Sequence, residues 1–195
     1  MAPRTVGILV FEEVEVLDVC GPYEVFSVAG RRQELDLFRV LLVGPSREPV
    51  RGRHDFLFTP HVTMDDAPPL DLLLVPGGRG TRQLVLDARA VAWVAARQRE
   101  AELLLSVCTG ALVLAKAGLL DGLAATTHGS AFEELEALAP ASVIHRDRRV
   151  VDNGRVILSA GVAAGIDMAL TVVARLHGEA LARECAGYIE YPYPD

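Results

Sequence analysis

Leu103-Leu104-Leu105-Ser106-Val107-Cys108-Thr109-Gly110, with Ala111-Leu112-Val113-Leu114-Ala115-Lys116-Ala117-Gly118 directly behind it, is the stretch on which the fold turns. Leu103 to Val107 is a short apolar run that suits a strand covered on both faces, and the small residues after Cys108 suit a helix that starts at once. Cys108 therefore falls at a strand-to-helix corner. Ser106 and Gly110 flank it two residues away on each side, the small-x-nucleophile-x-small spacing of a nucleophile elbow with cysteine in the nucleophile's place. Small neighbours are required because a sharp turn around a strained residue leaves no room for side chains beside it. The positive end of the following helix is expected to lower the pKa of the thiol and raise its thiolate fraction. A plainer reading makes Cys108 one more small buried hydrophobe. The rest of the chain decides between the two.

Upstream, Thr5 to Val10 reads as a central strand, and Glu12 to Asp18 as the turn into a helix that carries Pro22 in its first turn and ends near Gly30. Asp18 then lies just past the C-terminal end of the first strand. Leu37 to Gly44 is a second strand. Arg51 to Met64 holds two extended pieces around Gly52-Arg53-His54-Asp55, an antiparallel ribbon at the margin, where His54 and His61 read as solvated loop or edge residues. Leu70 to Val75 is a further buried strand ending in Pro76-Gly77-Gly78-Arg79-Gly80, and Thr81 to Glu100 one amphipathic helix. The glycines at that junction offer bare N–H groups to an anion, although a tight turn also accounts for them.

Downstream, Ala124 to Thr127 reads as a strand ending at His128, followed by a helix from about Ser130 to Leu138. Arg149 to Ser159 is a hairpin around Asp152-Asn153-Gly154. Two helices, Gly161 to His177 and Glu179 to Tyr188, close the chain before an extended tail, Tyr191 to Asp195. Apolar strands alternating with helices and no internal repeat, over 195 residues, predict one α/β domain covering residues 1–195, a doubly wound α/β sandwich. Asp18, Gly77-Gly78, Cys108 and His128 each follow a strand, so all should converge on the carboxyl edge of the sheet, where open α/β sheets bind ligands.

Composition narrows the function. A 51% hydrophobic content and mean hydropathy of +0.29 argue against disorder. No apolar run is long enough for a bilayer, and the start Met-Ala-Pro-Arg runs straight into a strand, so a cytoplasmic protein without membrane contact is expected. Cys20, Cys108 and Cys185 make no complete disulfide set and no paired metal spacing, which fits a reducing compartment and calls for neither metal nor cofactor. A net charge of −7 disfavours nucleic acid, and no helix-turn-helix segment is read in the 195 residues. The expected partner is a small molecule.

Taken together, Leu17-Asp18-Val19-Cys20-Gly21-Pro22-Tyr23-Glu24-Val25-Phe26, Val75-Pro76-Gly77-Gly78 and Ser106-Val107-Cys108-Thr109-Gly110 resemble the ThiJ/PfpI superfamily. Ala117-Gly118-Leu119-Leu120-Asp121-Gly122, Ala125-Thr126-Thr127-His128 and Ser159-Ala160-Gly161-Val162-Ala163-Ala164-Gly165-Ile166-Asp167 narrow it to the branch holding isocyanide hydratases and the amidase-like domain of AraC-type regulators. The resemblance runs over essentially the whole chain. It implies a flavodoxin-like α/β/α sandwich, related to class I glutamine amidotransferases and usually a homodimer, in which the elbow cysteine is Cys108 and its paired carboxylate Asp18. In hydratase-like members the thiolate would attack an isocyanide carbon to give a thioimidate that water resolves to an N-substituted formamide, with Asp18 moving protons. The N–H groups of Gly78 and Thr109 would steady developing negative charge, with Gly77 and His128 lining the pocket.

Two departures bear on function. PfpI-type peptidases and deglycases have His directly after the cysteine where this chain has Thr109, so peptidase activity is not expected. His177-Gly178-Glu179 imitates the late His-x-Glu pair of glutamine amidotransferases but falls at the end of a helix, and reads as a helix terminus. His128 is open to an acid/base role or a structural one. The alternative to an enzyme is a stand-alone ligand- or redox-sensing domain, serving transcriptional regulation or the oxidative stress response, since a low-pKa thiolate is also the one that oxidises.

Overall fold

The computed structural model describes residues 2–193. In chain order the elements are β1 (Arg4–Leu9), α1 (Val16–Val28), β2 (Phe38–Gly44), β3 (Val50–Arg51), β4 (Leu57–Phe58), β5 (Val62–Thr63), β6 (Leu72–Val75), α2 (Thr81–Leu84), α3 (Ala88–Glu100), β7 (Leu103–Val107) and α4 (Gly110–Lys116). They continue with β8 (Ala124–Ala125), α5 (Phe132–Leu138), β9 (Val143–Ile144), β10 (Val150–Asp152), β11 (Val156–Ser159), α6 (Ala164–His177) and α7 (Glu179–Tyr188).

The main sheet runs β10-β11-β7-β6-β1-β2-β5, and every pairing is parallel except β10 with β11. All residues of β6 and β7 are buried, as continuous apolar runs in a sheet covered on both faces must be. On one face α1, α6 and α7 pack together; on the other, α3, α4 and α5 follow one another. This is the doubly wound α/β sandwich expected from the alternation of elements, in the flavodoxin-like form that the resemblance implies. The chain leaves β1 toward β2 on one side and returns through β6 on the other, so the topological switch point lies between β1 and β6. Register then sets the site: Val75 pairs with Ser106 and Ser159 with Val107, which brings Gly77 level with Cys108.

The structure departs from the expected elements in three places. Helix α1 begins at Val16, so Asp18 lies inside its first turn rather than in the loop before it, and Pro22 stands in the second turn. The helical bond that Pro22 cannot donate is lost, while its ring reaches toward Gly165 on α6 and helps the two helices approach closely. The single helix from Thr81 to Glu100 is two, because Asp87 caps the second: its Oδ1 accepts from the N–H groups of Arg89 (2.9 Å) and Ala90 (3.2 Å). The strand before His128 is only Ala124–Ala125, paired in parallel with β9 in a separate small sheet.

The ribbon is present as β3 and β4, antiparallel, whereas β5 joins the main sheet. His61 caps that edge by accepting from Leu42 N–H (2.9 Å). His177 ends α6 and Glu179 opens α7 across Gly178. The His177 ring packs on Phe38 at the start of β2, away from the carboxyl edge that holds Cys108. Of the tail, Tyr191 to Tyr193 carry no regular structure, and Pro194 and Asp195 lie outside the described residues. No helix among those residues is long and apolar enough to cross a membrane.

Candidate functional site

The elbow is held from behind. Cys108 has φ +57°, a conformation that costs an L-residue energy unless its surroundings enforce it. Its N–H donates to the carbonyls of Ser159 (3.1 Å) and Ala160 (3.0 Å), and its carbonyl accepts from the buried Thr127 hydroxyl (2.8 Å). Gly110 makes the turn sterically possible, because a Cβ there would lie 2.0 Å from the Val75 carbonyl oxygen. Thr127→Val should lower stability by about 1 kcal/mol or more, since it leaves the buried Cys108 carbonyl with only the long contact from Ala111 N–H (3.5 Å). A urea midpoint unchanged from wild type would contradict that buttress.

Asp18, fully buried, reaches Cys108 from the start of α1. Its Oδ2 accepts from Gly77 N–H (2.9 Å), while Oδ1 has no fully formed hydrogen bond. Gly77 lies against both groups. A Cβ on it would meet Thr109 N at 2.5 Å, Cys108 Cβ at 2.7 Å and Asp18 Oδ2 at 2.8 Å, so no larger residue fits while the carboxyl keeps its place.

Both groups are harder to ionise than usual. Burial, reinforced by Glu15, pushes Asp18 up to about 7 against the pull of the Gly77 N–H, the Cys108 thiol and the Val162 N–H. Burial and then the charge on Asp18 push the Cys108 thiol up to about 12. This corrects the expectation of a lowered thiol pKa: the N–H groups of Thr109 and Val162 do pull it down, but α4 is only seven residues long and desolvation outweighs them. Above about pH 7 the pair shares one proton, which belongs to the pair rather than to either residue.

The expected N–H donors are also redistributed. Gly77 N–H serves Asp18, and Gly78 N–H donates to Thr109 Oγ1 (3.0 Å), which is close enough to the Gly78 carbonyl to return its own proton (3.1 Å). Thr81 Oγ1 lies 3.0 Å from the same hydroxyl and 2.8 Å from that carbonyl, closing a buried ring. Neither glycine N–H is therefore free to meet a developing anion. The donors near Sγ are Thr109 N–H and Val162 N–H. Val162 carries no functional signal in the sequence; its φ of +51° is unusual for a β-branched residue and turns its N–H toward the pair.

Cys108 and Thr109 open into a cleft of about 440 Å³, lined also by Gly78, Val162, His128 and Ser130, with Glu15, Arg53, Arg79 and Arg82 as its charged residues. His128 joins from the small sheet. Its Nδ1 accepts from Ser130 N–H (3.2 Å) and lies 2.8 Å from Ser130 Oγ, so a neutral ring carries its proton on Nε2. Gly161 makes room for it, as a Cβ there would sit 2.2 Å from His128 Cδ2. The structure thus brings Asp18, Gly77, Gly78, Cys108, Thr109 and His128 together.

Cys20 stays half-buried on α1, and Cys185 is buried with Sγ toward the Val25 carbonyl (3.4 Å). Asp167 pairs with Arg149 and accepts from Tyr191 Oη (3.0 Å). Another cleft, of about 370 Å³ beside Arg31 and Phe38, is lined by no cysteine or histidine. The arginines and Glu15 belong to none of the motifs that mark the site in the sequence; Arg79 alone has a local signal, its place inside Gly-Gly-Arg-Gly beside glycines whose N–H groups suit an anion.

Fold and elbow place the chain among α/β proteins built around a strand-to-helix cysteine. More narrowly, it belongs to the DJ-1/PfpI family, whose pattern matches residues 4–175. It is similar to the isonitrile hydratase of Pseudomonas putida, 37% identical over 186 residues that make 95% of this chain and 78% of that protein. It is 27% identical to the HTH-type transcriptional regulator GbdR of Pseudomonas aeruginosa over 92% of this chain, but spans only 48% of the regulator. A solved ThiJ/PfpI family protein from Pseudomonas syringae superposes with a TM-score of 0.89 at 32% identity, covering 100% of this chain and 78% of that one.

Proposed function

We propose that this protein hydrates an isocyanide, or a similarly small electrophile, through Cys108 and Asp18. The observation that carries the reading is the buried Asp18 carboxyl set beside Cys108, both against Gly77, with the cysteine opening into a cleft. The similarity to isonitrile hydratase supplies the substrate class. Asp18 takes the thiol proton as Sγ forms a bond to the terminal isocyanide carbon, and returns it to that carbon, leaving a thioimidate with an S–CH=N–R linkage. Water then adds across the C=N bond, its oxygen to carbon and one proton to nitrogen. The C–S bond breaks as the new hydroxyl loses its proton through Asp18 to sulfur, releasing R–NH–CHO and the free thiol. The sum is one isocyanide and one water to one formamide.

Thr109 N–H and Val162 N–H steady the sulfur anion at entry and departure, each donor worth up to roughly 3–4 kcal/mol where such groups have been removed. His128 orients substrate at the pocket wall. The protein works as a cytoplasmic homodimer in this reading; Phe56 and Leu57, 47% and 57% exposed on the β3–β4 ribbon, are apolar surface that a second copy would cover.

The test is formamide production from simple alkyl and aryl isocyanides, followed by infrared loss of the isocyanide stretch and chromatography of the product. Turnover by wild type supports the reading. Tight binding without formamide would favour the second reading, a ligand sensor, which the similarity to a transcriptional regulator supports.

A further inference from the structure

We propose that Arg79 selects an electrophile carrying a carboxylate on the substituent that points out of the Cys108 cleft; this rests on the reading of that cleft as a substrate site. The protein is acidic overall, with 26 Asp and Glu against 19 Lys and Arg, yet the cleft runs against that balance with three arginines and one glutamate. Two of the arginines are engaged. Arg53 is held by Glu13 (3.3 Å) and lies 3.9 Å from Glu15, and Arg82 pairs with Glu134 (3.0 Å). Arg79 has no acidic partner and no hydrogen-bond acceptor among the described residues, and it is exposed.

Its root is as firmly placed as its head is free. Gly78 is tied to Thr109 through the hydroxyl ring and bridges to Val14, while Gly80 N–H donates to the Glu13 carbonyl (3.2 Å). A Cβ on Gly80 would lie 1.8 Å from the Glu12 carbonyl oxygen, so this backbone approach is close. A guanidinium on such a root, one residue from the Gly78 cleft wall, presents a planar donor fork at the mouth that matches a carboxylate with two parallel hydrogen bonds. The charge map also fixes orientation. Asp18, whose charge acts on Cys108, makes the reacting end hostile to an anion, so the reacting carbon enters neutral and the anionic group stays at the Arg79 end.

The experiment compares 4-isocyanobenzoate with its methyl ester on wild type and Arg79→Gln. For wild type, kcat/KM is expected to favour the acid by about tenfold, mainly through KM, and the preference should shrink in 0.5 M salt. Arg79→Gln should bring the acid-to-ester ratio to about one, and Arg79→Lys should restore part of it. An ester preference in wild type, or an acid preference that survives Arg79→Gln, would overturn the proposal. Calorimetry with the unreactive products, 4-formamidobenzoate and its methyl ester, separates this inference from the hydratase reading. If no isocyanide is turned over, tighter binding of the acid that is lost in Arg79→Gln still supports carboxylate selection, and equal binding of the two overturns it.

Discussion

Cys108→Ala is expected to leave no formamide formation above background, a loss of about 10⁴-fold or more, because Cys108 is the one thiol among the residues lining the cleft and the one nucleophile beside Asp18. The variant should fold. The elbow is held by the main chain of Cys108, through Ser159, Ala160 and Thr127, and none of those bonds uses Sγ. Alanine also carries much the same strain as cysteine at φ +57°, so the urea midpoint should move little. Acid quenching during turnover should show, on wild type only, a Cys108-containing peptide heavier by the mass of the isocyanide. Undiminished turnover by Cys108→Ala would remove covalent catalysis from the mechanism.

That outcome also separates the enzyme from a redox sensor. A sensor cysteine needs a thiolate that is present at rest. Here burial and Asp18 hold the thiol up at about 12, and Cys108 is only 6% exposed. In the proposed reaction the pair would release its nucleophile only when an electrophilic carbon arrives beside the carboxylate. A resting thiolate, open to peroxide, is what this burial opposes.

The parts of this arrangement that were legible in the sequence are those set locally. The runs that became β6 and β7 are buried on both faces and so read as unbroken apolar stretches, and the elbow shows itself because only small residues fit two places from Cys108. That Asp18 follows β1 was readable too; its pairing with Cys108 came from the family resemblance, because the distance between them depends on strand order. What stayed hidden is long-range. Whether Gly78 N–H faces solvent or Thr109 Oγ1 depends on a hydroxyl 31 residues away. The rise in the thiol pKa depends on how many layers cover the elbow and on a charge brought in by α1. Val162 could not be foreseen at positive φ, since β-branched residues avoid it and nothing nearby in sequence signals the exception. The split at Asp87 is the opposite case: an aspartate before Ala-Arg-Ala is an ordinary cap signal, hidden by a helical pattern that continues across it.

Asp18→Asn should separate catalysis from stability in opposite directions. The amide is isosteric and can still accept from Gly77 N–H, but it cannot carry the thiol proton, so kcat/KM should fall by about 10²–10⁴-fold. In wild type, kcat/KM should rise with pH through about 7, as the pair passes from two protons to one; the variant should lose that limb. Its Cys108 should alkylate with iodoacetamide at lower pH than wild type, because Asp18's charge is the second cause that raises the thiol. A merely structural carboxylate would leave that alkylation profile where it is. Stability moves the other way. The Asp18 pKa is raised from an ordinary 3.8 to about 7, so the folded state binds the proton more tightly than the unfolded chain. The contribution is fully present below about pH 4 and is lost as pH rises through about 7, a cost reaching roughly 4 kcal/mol for a shift of that size. Asparagine has no such ionisation. Denaturation midpoints for Asp18→Asn should therefore be flatter between pH 4 and 7, and above pH 7 the variant should be at least as stable as wild type. A variant less stable than wild type at pH 8 would mean that the carboxylate is held by favourable contacts rather than kept in place against its own desolvation.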